Sequence, residues 1–336
     1  MSKTKSVHKL LMVMLVIISV LAVNSFSLAE VKEVRIAKQY GLPYLPLIIA
    51  EENKLIEKQA KAAGLGDIKV TWATLGNGAS ANDALLSGSV DFISGGVAPL
   101  ITIWAKSNGS VKALAALDTT PLYLNTINPA VKSVRDFTDK DRIALPTVKV
   151  SIQAVLLQMA VAKEFGLENY AKLDNFTISM KHPDGLIALL SGKTEITAHF
   201  TSPPYSFQEL EKPNVRKIID SYDLLGGAHT MNVISTSTKF YNANPKTAAV
   251  VLEALERAVN FIKQNKQASA EIYVKAANSN ESINDILAQL NNPQIGYNTA
   301  PLKITKFSDF MYSIGSIDIK PKDWKDLFFP NIHQKG

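Results

Sequence analysis

Short apolar runs alternate with longer amphipathic stretches through most of this chain. Val34-Arg35-Ile36-Ala37 predicts a strand. Leu47, Ile48, Leu55 and Ile56 recur at helical spacing and predict one helix over Leu47–Gln59. Ile68–Trp72 predicts a second strand and Val111–Leu117 a further one. Between them lies Ala84–Pro99, A-L-L-S-G-S-V-D-F-I-S-G-G-V-A-P. It reads as the end of a helix, a glycine stop, a buried strand, a loop and a new helix. The same grammar returns at Ala188–Pro203, A-L-L-S-G-K-T-E-I-T-A-H-F-T-S-P, with the first five residues identical and no insertion or deletion. Gly88 and Gly192 suit the left-handed position after a helix. Pro99 and Pro203 suit a first helical turn, where no amide is needed.

This echo implies two lobes built alike. The second lobe is predicted from a strand at Arg142–Leu145, a helix at Ser151–Phe165 stopped by Gly166, a strand at Phe176–Ser179, the loop His182–Gly185, and a strand at Val215–Ile219. Pro121–Asn128 and Thr230–Ser237 are extended and read as crossings between lobes. After the second, Asn244-Pro245 reads as the cap and first position of a long helix with Val251, Leu255, Val259 and Ile262 inside. Ser282–Leu290 and Leu302–Ser313 read as helices, and a Trp324/Phe328 cluster ends the chain. The expected fold class is α/β, a two-lobed clamshell in which each lobe is a mostly parallel sheet flanked by helices. The expected organisation is a leader over 1–29, lobe one over 30–121, lobe two over 122–229, and a return to lobe one over 230–336.

The leader breaks the pattern. Lys3, Lys5 and Lys9 precede an apolar run, Leu10–Val23, which is short for a membrane span, and Ser27-Leu28-Ala29 has the small residues of a cleavage site. Export with removal of residues 1–29 is expected; an uncleaved anchor is the alternative. Removal takes three lysines, so the net charge falls from +6 to +3, and no basic run suggests nucleic acid. The chain has no cysteine. That excludes disulfides, thiol catalysis, Cys-based zinc sites and a lipid on the first mature residue. A protein free in a periplasm, and a monomer, is expected.

No catalytic or metal motif is present. His182, His199, His229 and His333 fall in no H-E-x-x-H spacing, G-x-S-x-G is absent, and G-N-G-A-S is not a G-x-G-x-x-G fingerprint. No cofactor is expected. In open α/β sheets, ligands bind beyond the C-terminal strand ends, here between the lobes. The loops at that edge each lead into a helix N-terminus, which offers free N–H groups and positive potential to an anion. From these loops the candidate ligand residues are Gln39, Tyr40, Tyr44, Gly78, Ser80, Gly96, Val97, Lys149, Ser151, Asp184, His199 and Phe200. Lys149 and also Lys38 are candidate charges for an anion; Tyr40, Tyr44 and Phe200 are candidate clamps for its apolar part. Ser80 is a candidate helix cap and Asp184 a cap of its own helix. His182 and His199 are placed on loops beside the cleft.

The opening V-R-I-A-K-Q-Y-G-L-P-Y-L-P-L-I-I-A-E-E-N-K-L-I-E, the G-N-G-A-S…A-L-L-S-G-S-V-D-F-I-S-G-G-V-A-P core and H-P-D-G-L-I-A-L-L-S-G together resemble the nitrate/sulfonate/taurine group of type II periplasmic binding proteins. The resemblance implies capture of a small solute, closure of the lobes and delivery to an ABC permease with its ATPase; the helix-entry loops of the cleft make a small organic anion, a sulfonate or carboxylate, the expected one. The alternative is a pyrimidine-precursor binder, or an enzyme like the thiamine pyrimidine synthases of the same fold. Those synthases carry a Cys-rich iron motif and no signal peptide, whereas this chain has the reverse.

Overall fold

The computed structural model describes residues 30–335, and the leader lies outside them. The first lobe runs β1 (Glu33–Lys38), α1 (Leu45–Glu52), α2 (Leu55–Ala62), β2 (Lys69–Thr74), α3 (Gly78–Leu86), β3 (Phe92–Gly96), α4 (Val97–Lys106) and β4 (Val111–Ala116). A two-residue strand, β5 (Asp118–Thr119), leads to β6 (Tyr123–Thr126). The second lobe continues with β7 (Ile143–Leu145), α5 (Ile152–Phe165), β8 (Thr177–Ser179), α6 (His182–Ser191), β9 (Ala198–Thr201), α7 (Tyr205–Leu210), β10 (Arg216–Asp220) and α8 (Ser221–Leu225). Then come β11 (Asn232–Ser237), α9 (Thr238–Ala243), α10 (Pro245–Gln264), α11 (Lys266–Ala276), α12 (Ile283–Asn291), β12 (Gly296–Tyr297) and α13 (Thr305–Ser313).

The two sheets are topological copies. One has the order β2-β1-β3-β11-β4, the other β8-β7-β9-β6-β10. In each, three parallel strands are followed by one antiparallel strand. Those antiparallel strands, β11 and β6, are the two crossings, each bonded on both edges into the sheet it enters. The crossings are therefore built into the sheets rather than strung between them. The mirrored sixteen-residue signature falls at the same place in both lobes. Gly88 and Gly192 take φ of 72° and 60°, which costs a glycine nothing.

Several expected boundaries move, each for a local reason. The single helix expected over Leu47–Gln59 is two, broken where Lys54 turns left-handed at φ 49°. Asn77, not Ser80, caps α3, accepting the Ser80 amide at 2.9 Å. The expected loop at His182 is already the first turn of α6. Pro203 lies outside a helix, since α7 begins at Tyr205. Asn244 precedes α10 but its side-chain Oδ1 accepts Val31 N at 3.0 Å. The free amides of α10 go instead to the Glu30 carboxylate, at 2.9 Å from Lys246 and 3.0 Å from Thr247.

The largest buried apolar cluster is shared between lobes, joining Val97, Leu100 and Ile101 of α4 with Ile152, Val155 and Leu156 of α5. Among the described residues no helix is long and apolar enough to cross a membrane.

Candidate functional site

The C-terminal ends of both sheets meet in one cleft, and the lobes are closed over it. A Cβ built on Gly96 would lie 2.8 Å from Ile152 Cγ2 of the other lobe, and one on Gly76 would lie 3.2 Å from Lys181 Cγ. Leu42 N donates to Pro203 O across the gap at 3.0 Å. The cavity left is about 20 Å³, room for about one water.

Six of the twelve candidate residues line it: Gln39, Tyr40, Tyr44, Gly78, Gly96 and Ser151. Each owes its place to a strand end or a helix start. Gln39 follows β1 and lies across the end of β3, where its amide donates to Ser94 O at 2.7 Å. Gly95 leaves room for it, because a Cβ there would stand 3.0 Å from the Gln39 amide nitrogen. Gly78 lets α3 close on α4, since its Cβ would meet Pro99 at 2.8 Å. Ser151 caps α5 by accepting the Ala154 amide at 3.2 Å.

The other six lie elsewhere. Ser80 and Asp184 are exposed on their helices, the latter paired with Lys181 at 3.7 Å. Lys149 is exposed, in a left-handed turn at φ 63° that carries it off the cleft wall. The Val97 side chain is fully buried and its amide is spent on Met231 O at 3.0 Å. Phe200 is fully buried in the core of the second lobe and clamps nothing in the cleft. His199 is also fully buried, one layer behind the lining. Lys38 is consumed by an ion pair with Glu51.

The lining also includes Gln153, Ser202, Met231 and Asn232, none of them among the twelve candidates, and His182, which the sequence placed only beside the cleft. Asn232 is 1 % exposed. Its carbonyl oxygen accepts from Tyr44 Oη at 3.1 Å, while its Nδ2 is turned toward the buried Asp118 carboxyl and helps to hold it. Ser202 Oγ is buried without a partner. An unmatched buried donor costs about 1–3 kcal/mol, so this hydroxyl is open to a guest. Behind Asn232, its backbone N donates to Asp118 Oδ1 at 3.1 Å, and burial pushes the Asp118 carboxyl well above the usual range.

The second-lobe wall carries a chain of polar side chains. Gln153 Nε2 stands 3.2 Å from His182 Nε2. His182 Nδ1 is 3.2 Å from His199 Nε2 and 2.9 Å from Thr201 Oγ1. His199 Nδ1 is 2.6 Å from Glu209 Oε1, and Asn125 Nδ2 donates to Glu209 Oε2 at 2.9 Å. Gly185 makes this chain possible, because a Cβ on it would lie 2.5 Å from His199 Nε2. Burial, helped by neighbouring His199, holds His182 well below the usual imidazole value, so its ring is neutral at pH 7.

None of the lining residues is Lys, Arg, Asp or Glu. Four helices of nine residues or more start at the cleft: α3, α4, α5 and α6. Two of them, α4 and α6, have no side-chain cap. What the site presents is neutral hydrogen-bonding groups under the positive ends of helices from both lobes.

Duplicated five-stranded sheets closing on such a cleft define the two-lobed periplasmic-binding-protein fold. Among the solved structures that share it are the following three. The alkanesulfonate-binding protein SsuA of Xanthomonas axonopodis pv. citri, bound to MOPS, has a TM-score of 0.70 at 18% identity, covering 87% of this chain and 96% of that one. The aliphatic sulphonate binding protein SsuA of Escherichia coli has 0.66 at 19%, covering 89% and 92%. The nitrate-binding protein NrtA of Synechocystis PCC 6803 has 0.66 at 17%, covering 88% and 84%. Within that fold the chain belongs to the NMT1-like family, whose model matches residues 27–277. No curated protein sequence matches it.

Proposed function

We propose that this protein is the solute-binding component of an ABC importer, exported with loss of residues 1–29. It captures a small organic anion, a sulfonate or carboxylate, between its lobes and hands it to the permease and its ATPase. The observation that carries the reading is a cleft lined by neutral hydrogen-bonding groups, Gln39, Ser151, Gln153 and Ser202 among them, with Ser202 Oγ buried and unpartnered, set among helix N-termini of both lobes. These groups bind; they supply no nucleophile paired with a base. The sulfonate and nitrate specificities named for the similar structures point the same way. With about 20 Å³ in the closed form, entry of an organic anion requires the lobes to part, a hinge motion about the two crossings.

A second reading keeps one observation on its side. The lining has no cationic side chain and three amides, Gln39, Gln153 and Asn232, which also suit a neutral pyrimidine. A thermal-shift screen of the mature protein against sulfonates, nitrate, aromatic carboxylates and pyrimidines separates the two. A cognate ligand at about 100 times its Kd raises stability by about 2.7 kcal/mol. Stabilisation by a pyrimidine and by no anion overturns the first reading.

A further inference from the structure

The Gln153–His182–His199–Glu209 chain has a proton problem that the cleft can solve. Glu209 and His199 are both fully buried. The hydrogen bonds that Glu209 receives come from Asn125 and His199, neither a fixed cation. The chain admits two arrangements with Glu209 ionised. In the first, His199 is neutral: Nδ1–H donates to Glu209, His182 Nδ1–H donates to His199 Nε2, and His182 Nε2 accepts from the Gln153 amide. The chain then holds one uncompensated negative charge. In the second, one more proton is present. His199 carries both N–H groups and pairs with Glu209, and His182 Nδ1 accepts from His199. His182 Nε2–H now donates to the Gln153 carbonyl, which turns the Gln153 NH₂ toward the cleft.

Resting on the anion-binding reading above, we propose that this chain couples capture of the anion to uptake of one proton, with His182 and Gln153 converting the cleft wall from an acceptor to a donor. The proton arrives from solvent at His182 Nε2, the His182 Nδ1 proton passes to His199 Nε2, and the net change is one added proton shared by His199 and Glu209. The Thr201 hydroxyl, 2.9 Å from His182 Nδ1, turns from accepting to donating, and no other covalent bond is made or broken. His182 stays neutral throughout, in keeping with the burial that disfavours its imidazolium. An anion in the cleft favours the loaded chain, which is less negative by one charge and offers it a donor; by linkage, the loaded chain favours the anion equally.

The titratable groups facing the His182 ring fit this role. His199 comes from β9, and Glu209 lies behind it on α7. The Tyr205 ring stacks at 5.8 Å with its own ionisation suppressed by burial. Tyr40 of the first lobe lines the same cleft. On its own helix segment, Lys181 and Asp184 are exposed and paired to each other.

The test uses the mature protein with ethanesulfonate, benzenesulfonate and nitrate, anions of strong acids that take up no proton themselves. Titration calorimetry is run in buffers of different ionisation enthalpy, from about pH 5.5 to about 8.5, bracketing the ordinary imidazole value. The expected result is uptake approaching one proton at the upper end, with Kd rising up to about tenfold per pH unit there. In Glu209→Gln both effects vanish. Binding by the parent with no proton uptake anywhere in the range overturns the coupling and leaves anion capture standing. Uptake that persists in a folded Glu209→Gln overturns the assignment to this chain. If that variant does not fold, His182→Gln, which removes the ring that links the His199–Glu209 pair to Gln153 at the cleft wall, must lose the uptake instead. Failure of all three anions to bind overturns both the anion reading and the proposal.

Discussion

Replacing Gly96 by alanine isolates lobe closure from folding. The residue sits at φ −62°, ψ 158°, a conformation open to any L-residue. Within its own lobe, the nearest atom to an added methyl is Pro99 Cδ at 3.5 Å, an ordinary contact. Across the cleft the methyl would stand 2.8 Å from Ile152 Cγ2 and 2.9 Å from its Cβ. Carbon atoms rest at about 3.5–4.0 Å, so the lobes must stay apart by about 1 Å at this point, or Ile152 must leave its packed position. Overpacking of this kind costs about 1–3 kcal/mol, which is about 5- to 150-fold in Kd. The cost falls on the closed form alone. Calorimetry with a bound sulfonate should therefore show that loss, while the ligand-free variant melts within about 2 °C of the parent, a shift worth about 1 kcal/mol at this size. Ile152→Ala in the Gly96→Ala background removes one of the two clashing atoms and should recover part of the affinity. Unchanged binding by Gly96→Ala, or a melting point lowered by several degrees without ligand, would refute the reasoning.

Other expectations follow from single residues. Lys149→Ala should bind within about twofold of the parent, as an exposed surface substitution; a larger loss in calorimetry would return Lys149 to the site. His229 is buried with its ring between Thr230 O and Ser221 Oγ, each at 3.0 Å, and burial lowers its pKa from 6.5 to about 4. The unfolded chain binds that proton first, so the stability due to neutral His229 is full above pH 6.5 and drains as pH falls toward 4, on the order of 3 kcal/mol in all; chemical denaturation should show a shallower acid slope in His229→Asn. Glu30→Ala should lose about 1 kcal/mol by removing the carboxylate that caps α10. N-terminal sequencing of the exported protein should begin at that same residue.

Which parts of this were legible in the sequence follows from how local each signal is. The repeated signature exposed the duplicated lobes because glycine stops and buried strands are written within a few residues. It also pointed to the end of β3, where Gly96 lines the cavity; Gly78 and Gln39, which line it too, came from neighbouring loops outside the signature. It failed where a single residue of register decides which way a side chain faces. A-H-F-T looked like a loop entering the cleft, but β9 runs on to Thr201 and is covered on both faces. His199 and Phe200 are therefore interior, and the first residue to reach the cleft is Ser202. Lys149 misled because a left-handed residue reverses the chain's heading, and nothing in T-V-K-V-S announces that turn. Asn232 was hidden in a strand read as a mere crossing. Its only signal is an amide in the otherwise buried run T-M-N-V-I-S, a polar group that must find a partner.

The loss of both candidate lysines changes how an anion would be held, and that difference is measurable. A site built on Lys149 or Lys38 would attract its ligand through charges open to solvent, and such attraction is screened within about 8–10 Å at ordinary salt. A site built on Gln153, Ser202 Oγ and helix amides works by contact, in a cavity that excludes salt ions once closed. Hydrogen bonds to a charged group contribute about 1.5–3 kcal/mol each. Three or four of them, less the cost of association, give micromolar binding with no lysine at all. The Kd for a sulfonate should then change by no more than about twofold when ionic strength is raised to about 0.5 M with a salt whose anion is too bulky for the cleft. A Kd that weakens steeply with salt would mean that an exposed cation holds the ligand, and that the closed, uncharged cleft described here is not the bound form.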